Sequence, residues 1–174
     1  MNRILLFLLS CYAGFATADD GGQYSISAGD LISIIVFGED DLSLERVRVA
    51  GDGTISFPLL GEVMVRGRTA RQLEFDLTVR LADGYLRKPE VNVSVVEYRL
   101  FYVNGEVENP GGYPYRDGLT VQKAVALAGG FTERASKSKI TLVRESASDA
   151  TGEAASLGTR VSPGDVITVG ESFF

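Results

Sequence analysis

Hydrophobic and polar positions along the chain change over in short blocks punctuated by glycine, with only two stretches at helical spacing. The block 31–37 (Leu-Ile-Ser-Ile-Ile-Val-Phe) is apolar and β-branched, which predicts a buried strand entered through the turn Ser27-Ala28-Gly29-Asp30 and ended by Gly38. Residues 46–49 and 54–57 flank Gly51-Asp52-Gly53; an Asp-Gly pair between alternating segments predicts a hairpin, because the tight turn needs positive φ. Pro58 stops the strand, and 59–65 predict another one that ends at Gly67. Thr69 and Gln72 have the spacing of a capping box, and Leu73, Leu77 and Leu81 recur at i, i+4 and i+8. This predicts a helix over 70–83, closed by Gly84, whose leucine stripe must cover a sheet. Residues 91–95 alternate cleanly and predict a strand.

A second series begins near Leu100. Residues 101–107 predict a strand running into a turn at Asn109-Pro110-Gly111-Gly112, after which Tyr113 and Tyr115 alternate. Thr120 is placed to cap a second helix with Val121, Ala124, Val125 and Ala128 on its inner face, closed by Gly129-Gly130. Residues 140–143 and 166–169 predict the last strands, and the Ser/Ala/Thr/Gly-rich stretch 145–159 between them predicts an exposed hairpin loop. No Pro/Ser linker separates the two series, and no simple internal repeat stands out. The pattern is that of an α+β protein made of two β-rich units, each with one helix.

Composition narrows the function. The 174 residues carry a formal charge of −6, which argues against nucleic acid as a partner. There is no histidine, so the usual neutral-pH base and the commonest metal ligand are missing. The single cysteine, Cys11, allows neither an internal disulfide nor a Cys-rich zinc site. At the N-terminus Arg3, the apolar run 4–9 and Ala16-Thr17-Ala18 before Asp19 form the pattern of a secretory signal, too short for the ~20 residues of a spanning helix. Cleavage between Ala18 and Asp19 is expected; the alternative is lipid attachment at Cys11, since Leu8-Leu9-Ser10-Cys11 loosely matches a lipobox.

Each candidate for chemistry has a plain structural explanation. Glu39-Asp40-Asp41 reads as a solvated turn rather than a metal cage. Residues 105–112 are glycine-rich but lack a phosphate-loop pattern, and Ala128-Gly129-Gly130-Phe131 follows a helix instead of opening one. Serines have no histidine to activate them. Arg134, Lys137 and Lys139 form a small basic cluster that would sit in water, or meet a neighbouring subunit or an anionic glycan. The tyrosines at 98, 102, 113 and 115 would stack on sugars or fill the core, with Tyr113 and Tyr115 kept as glycan or subunit contacts. No enzyme activity and no cofactor are expected.

The order of motifs says more than any residue. Tyr24 to Asp30, the strand 31–37, then Val49-Ala-Gly-Asp52-Gly53-Thr-Ile-Ser-Phe-Pro58-Leu-Leu-Gly61 and Val65-Arg-Gly67-Arg-Thr69 before a helix resemble the export domain of the bacterial outer-membrane polysaccharide export (Wza-like) family. Val103-Asn-Gly105-Glu106-Val107, Asn109-Pro110-Gly111-Gly-Tyr113, Ala128-Gly129-Gly130-Phe-Thr132 and Pro163-Gly164-Asp165-Val-Ile167 resemble the SLBB β-grasp module, and Glu171-Ser-Phe-Phe174 also fits the group. With the signal peptide read at 1–18, the resemblance implies a polysaccharide export domain at 19–98 and an SLBB domain at 99–174. It further implies a homo-oligomeric ring that carries capsular polysaccharide or exopolysaccharide and works with an inner-membrane polysaccharide co-polymerase. Larger members add further SLBB repeats and a membrane-crossing amphipathic helix. With Phe174 following the last predicted strand, the expectation is docking onto a separate outer-membrane β-barrel, with a shared barrel of subunit hairpins as the alternative.

Overall fold

A computed structural model describes residues 24–145 and 152–172. The expected export signal with Cys11, Ala18 and Asp19, residues 146–151, and Phe173 and Phe174 lie outside the described residues.

The first unit is built on β1 (Leu31–Val36), the centre of a three-stranded antiparallel sheet between β2 (Leu44–Arg48) and β5 (Val91–Glu97). A central strand is covered on both faces, which is why its sequence is almost continuously apolar. Helix α1 (Ala70–Ala82) lays Leu73, Leu77 and Leu81 on the core, each fully buried. Its capping box forms as the spacing predicts: Gln72 N–H donates to Thr69 Oγ1 at 3.2 Å, and Thr69 N–H donates to Gln72 Oε1 at 2.9 Å. The Glu74 carboxylate accepts the Val93 N–H at 2.9 Å and so fastens the helix to β5. Thr69→Ala is expected to lower stability by about 1 kcal/mol, read as a shifted urea midpoint at unchanged slope.

The expected hairpin across Asp52-Gly53 is not a strand pair. β2 pairs with β1, whereas β3 (Thr54–Phe57) pairs with β4 (Gly61–Met64) in a separate two-stranded sheet. The Asp-Gly turn is real but redirects the chain between the two. Asp52 Oδ1 accepts the Thr54 N–H and hydroxyl at 3.0 and 2.8 Å, and Gly53 takes φ +91°. The Gly53 carbonyl then receives the N–H groups of Val65 and Arg66 at 2.9 and 3.0 Å, not those of β2. Where the two strands cannot share a ladder, turn chemistry alone does not make a hairpin.

The second unit is a five-stranded mixed sheet in the order β7-β6-β10-β8-β9. Its strands are β6 (Phe101–Gly105), β7 (Gly111–Tyr113), β8 (Ala135–Val143), β9 (Glu153–Ala154) and β10 (Val166–Glu171). Central β10 runs parallel to β6 and antiparallel to β8. Helix α2 (Val121–Leu127) sits close on the sheet because Ala124 and Ala128 are small and fully buried there. Two expectations are corrected. Gly111 and Gly112 lie in β7 and not in a turn: a Cβ on Gly112 would come 3.0 Å from the Tyr102 ring and 3.1 Å from Leu100, so glycine lets this edge strand lie against β6. The expected loop 145–159 contains β9, which pairs with Thr141 and Leu142. Each unit has its own core, one reaching from Ile26 to Val93 and the other from Phe101 to Val169. The protein is α+β, as the pattern implies.

Candidate functional site at the seam between the units

Although no repeat stands out in the sequence, the two units are opened and closed by the same four-residue turn. In Ser27-Ala28-Gly29-Asp30 and in Ser162-Pro163-Gly164-Asp165, the serine N–H donates to the aspartate Oδ2 at 2.8 Å. In both, the aspartate N–H donates back to the serine carbonyl at 3.2 Å, and the glycine has φ +90° or +85°. Left-handed glycine before a polar residue that closes its own turn is favourable turn chemistry. Each aspartate is then followed by the central strand of its sheet, β1 or β10. Asp30 and Asp165 are the buried acids among the described residues, 0% and 2% exposed.

A buried carboxylate persists only when it is paired and fully hydrogen-bonded. Asp30 takes the Tyr24 hydroxyl at 2.5 Å, the Arg99 N–H at 3.0 Å and the Arg99 guanidinium at 3.4 Å. Arg99, in the short connection between β5 and β6, also bonds the Tyr24 hydroxyl and the Glu145 carboxylate. On the other side the Arg144 guanidinium donates to Asp165 at 2.9 Å, and the Glu145 N–H reaches Asp165 at 3.4 Å. The result is one continuous chain, Asp30–Arg99–Glu145–Asp165–Arg144, across the seam.

Three tyrosines line the same seam edge to face: Tyr24 to Tyr98 at 4.8 Å and Tyr98 to Tyr115 at 5.2 Å between ring centroids. Two clefts of about 350 and 360 Å³ share Tyr24 as a wall, the second also bounded by Arg99, Tyr115, Asp117 and Glu145. Burial, followed by the Asp30 carboxylate, pushes the Tyr24 hydroxyl far above its ordinary value near 10; burial and then Asp117 raise Tyr98 and Tyr115. A raised tyrosine is protonated in the folded chain where the unfolded chain already ionises, so its contribution is complete below pH 10 and is lost as pH climbs beyond it. Stability is therefore expected to fall above pH 10, and Tyr24→Phe to flatten that fall in urea titrations run at stepped alkaline pH. An unchanged slope would mean that Tyr24 ionises freely.

The other residues singled out in the sequence scatter. Asp52 is exposed and its carboxyl is held below the ordinary range by the Thr54 hydrogen bonds. Pro58 and Gly61 bound the β3–β4 turn, where Leu59 takes φ +65°. The Gly67 N–H donates to the Ile26 carbonyl at 2.8 Å, and the Glu106 carboxylate accepts the Thr132 hydroxyl at 2.6 Å. Gly129 and Gly130 close α2 with positive φ, and a Cβ on Gly129 would crowd Glu108 beside Asn109 and Pro110. Tyr113 is engaged in packing: its ring lies 5.9 Å from Phe101 and its hydroxyl bonds the Asn109 carbonyl. Arg134 is ion-paired with Glu171, Lys139 donates to the Glu171 carbonyl at 3.3 Å, and Lys137 stands over the Phe131 ring at 5.8 Å. Of these candidates only Tyr115, Asp30 and Asp165 with their turn glycines meet at the seam. Sequence reasoning passed over Arg99 and Glu145, and named Arg144 only within the SLBB-like stretch Leu142-Val-Arg144; the echo Ser-x-Gly-Asp-[Leu/Val]-Ile was the available signal.

Among the described residues no three His, Cys, Asp or Glu side chains gather as a metal site, and no helix is long and apolar enough to cross a membrane. Comparison with known proteins is direct. Residues 18–96 match the model of the polysaccharide biosynthesis/export protein family, and residues 100–154 match the SLBB domain. The exopolysaccharide production protein ExoF of Rhizobium meliloti is 36% identical over 85 residues, 48% of this chain and 20% of that protein. The EPS I polysaccharide export outer membrane protein EpsA of Ralstonia nicotianae is 29% identical over 147 residues, 70% of this chain and 38% of that protein. The match to EpsA of Ralstonia solanacearum covers 62% of this chain and 35% of that protein, so the chain spans well under half the length of these relatives. The seam described above joins these two matched stretches: residues 18–96 are a domain of the polysaccharide biosynthesis/export protein family, and residues 100–154 that follow are an SLBB domain.

Proposed function

We propose that the protein is a subunit of an oligomeric conduit that passes exopolysaccharide or capsular polysaccharide from the periplasm to the cell surface, at the periplasmic face of the outer membrane or within it. The observation that carries this reading is the succession of an export unit and an SLBB unit on one chain, joined by a charged seam and a tyrosine row. The relatives' names, one a polysaccharide export outer membrane protein, support the cargo and the place. Each of the two units folds around its own packed apolar core, so transport requires several copies around a shared opening. An inner-membrane polysaccharide co-polymerase feeds the assembly, and a separate outer-membrane β-barrel completes the passage. In this reading the units of the mature chain are 19–98 and 99–174, and the protein performs no covalent step on the polymer. Deleting the gene is expected to trap polymer in the periplasm and strip it from the surface, measured by fractionated sugar analysis. Normal surface polymer with altered chain length would favour instead a periplasmic glycan-binding accessory, for which the tyrosine-lined clefts are the supporting feature.

A further inference from the structure

The seam leaves unexplained the most exposed large apolar side chain among the described residues. Phe75 is 72% exposed on α1, and Val79, one turn later on the same face, is 53% exposed. They stand on the opposite side of the helix from the leucine stripe, flanked by exposed Ala82 and Asp83. A folded monomer gains nothing from a phenyl ring in water, and paired exposed apolar residues on a helix mark a contact surface. The second unit carries an apolar hollow of a size to receive such side chains. Leu119, Ala126 and Leu127 line a mainly apolar groove of about 470 Å³ beside α2, and Leu127 is itself 53% exposed.

The charges match as well. The groove is rimmed by Arg116 and Lys123, which form no ion pair among the described residues, although the Lys123 ammonium donates to the Gly118 carbonyl at 2.7 Å, and Asp117 stands at the rim as well. The exposed face of α1 ends in Asp83, also without an ion pair among the described residues, at the negative end of the helix dipole. With Arg80 neutralised by Asp76 and Arg71 lying a turn before Phe75, Asp83 at the Val79 end of the knob is the group that would meet Arg116 and Lys123 across a boundary between copies. Knob and groove lie on different units of the chain and are both open, so they do not cover each other within one molecule.

Two different patches that fit each other make a head-to-tail contact, which closes into a ring when the rotation per copy allows; a self-matching patch would stop at a dimer. We infer that the α1 knob, Phe75 and Val79, seats in the α2 groove of a second copy of this chain, and that this contact is the apolar centre of the subunit boundary. The inference rests on the oligomeric reading above, but it commits to a surface that reading does not name.

The test is complementation in solution. Phe75→Lys and Leu127→Lys alter exposed helical positions and place the same charge on either patch, so the two damaged patches cannot pair with each other. Far-ultraviolet circular dichroism and melting checked beforehand are expected to match wild type. By light scattering of the full chain, wild type is expected to be oligomeric and each variant monomeric, with association weakened about thirtyfold or more, as for a buried aromatic anchor. An equimolar mixture of the two is expected to form a one-to-one dimer and no larger species, because one intact knob and one intact groove remain. Lys123→Glu is expected to weaken assembly and Asp83→Lys to restore it when combined. A wild-type oligomer unaffected by either lysine, or a mixture that stays monomeric, overturns this surface while leaving oligomeric export standing. A wild-type chain that is monomeric in buffer and detergent overturns both.

Discussion

Gly105→Ala is expected to abolish the cooperative folding of the second unit while the first retains its structure. Gly105 ends β6 at φ +81°, opposite Val169 in the parallel β6–β10 pair at the middle of the five-stranded sheet. An alanine Cβ there would lie on the Val169 carbonyl oxygen, well inside any allowed contact, and 3.0 Å from its carbon. The neighbour is backbone of the central strand, so it cannot rotate away as a side chain would. Left-handed strain alone costs of order 1–3 kcal/mol, and parting β10 from β6 adds the loss of ladder hydrogen bonds. Together these approach the whole stability of a domain this size, about 5 kcal/mol at the low end of the usual range. Gly118→Ala is the matched control: it has φ +74° but nothing within 4 Å of an added Cβ, so only the conformational strain remains. Urea unfolding followed by hydrogen exchange should show β6, β8 and β10 amides unprotected in the first variant and a modest midpoint shift in the second. Equal, small shifts in both would show that β10 can yield, and that the close approach at Gly105 is not what holds the sheet.

That comparison also indicates what could be read from the chain beforehand. The positions of glycine in Val103-Asn-Gly105-Glu-Val and of the leucines at 73, 77 and 81 are local, and so were legible: periodicity gave α1, and composition gave the turns at Gly29-Asp30 and Asp52-Gly53. Pairing partners were not, since the Asp52-Gly53 turn looks identical whether the flanking strands bond each other or, as here, bond β1 and β4. The edge strands β7 and β9 escaped for a related reason. Gly111-Gly112 and Glu153-Ala154 carry no strand preference and are extended only because β6 and β8 offer them a ladder. The seam was legible in half: Asp30 and Asp165 were marked by their turns, but Arg99 and Glu145 are ordinary charged residues until folding brings positions 46 apart in sequence together. Tertiary charge pairing leaves no periodic trace.

Asp30→Ala and Asp165→Ala are each expected to cost about 3–5 kcal/mol, and together less than the sum. The single costs follow from removing one partner of a buried pair. Without Asp30 the Ser27 and Arg99 N–H groups and the Tyr24 hydroxyl lose their acceptor; without Asp165 the Ser162 N–H does, and the Arg144 guanidinium keeps only Glu153 and the Arg160 carbonyl. Were the two units independent, the costs would add within about 0.3–0.5 kcal/mol, as for distant sites. They share Arg99 and Glu145, however. Loss of Asp30 frees Arg99, which is tied to Glu145, and the Glu145 N–H donates to Asp165. Once the first acid is gone the second holds a seam already loosened, so its removal costs less. A double-mutant cycle measured by urea unfolding is expected to give a coupling of roughly 0.5–2 kcal/mol, within the range for residues in one hydrogen-bond network. Arg99→Met should erase the coupling while leaving the Asp165 cost nearly intact. If the costs prove additive in the wild-type background, the seam is a surface ornament and the units are free to rotate. If they are coupled, each subunit presents its two units at a set angle, and a head-to-tail contact between them repeats with the same rotation from copy to copy, as closure of a ring requires.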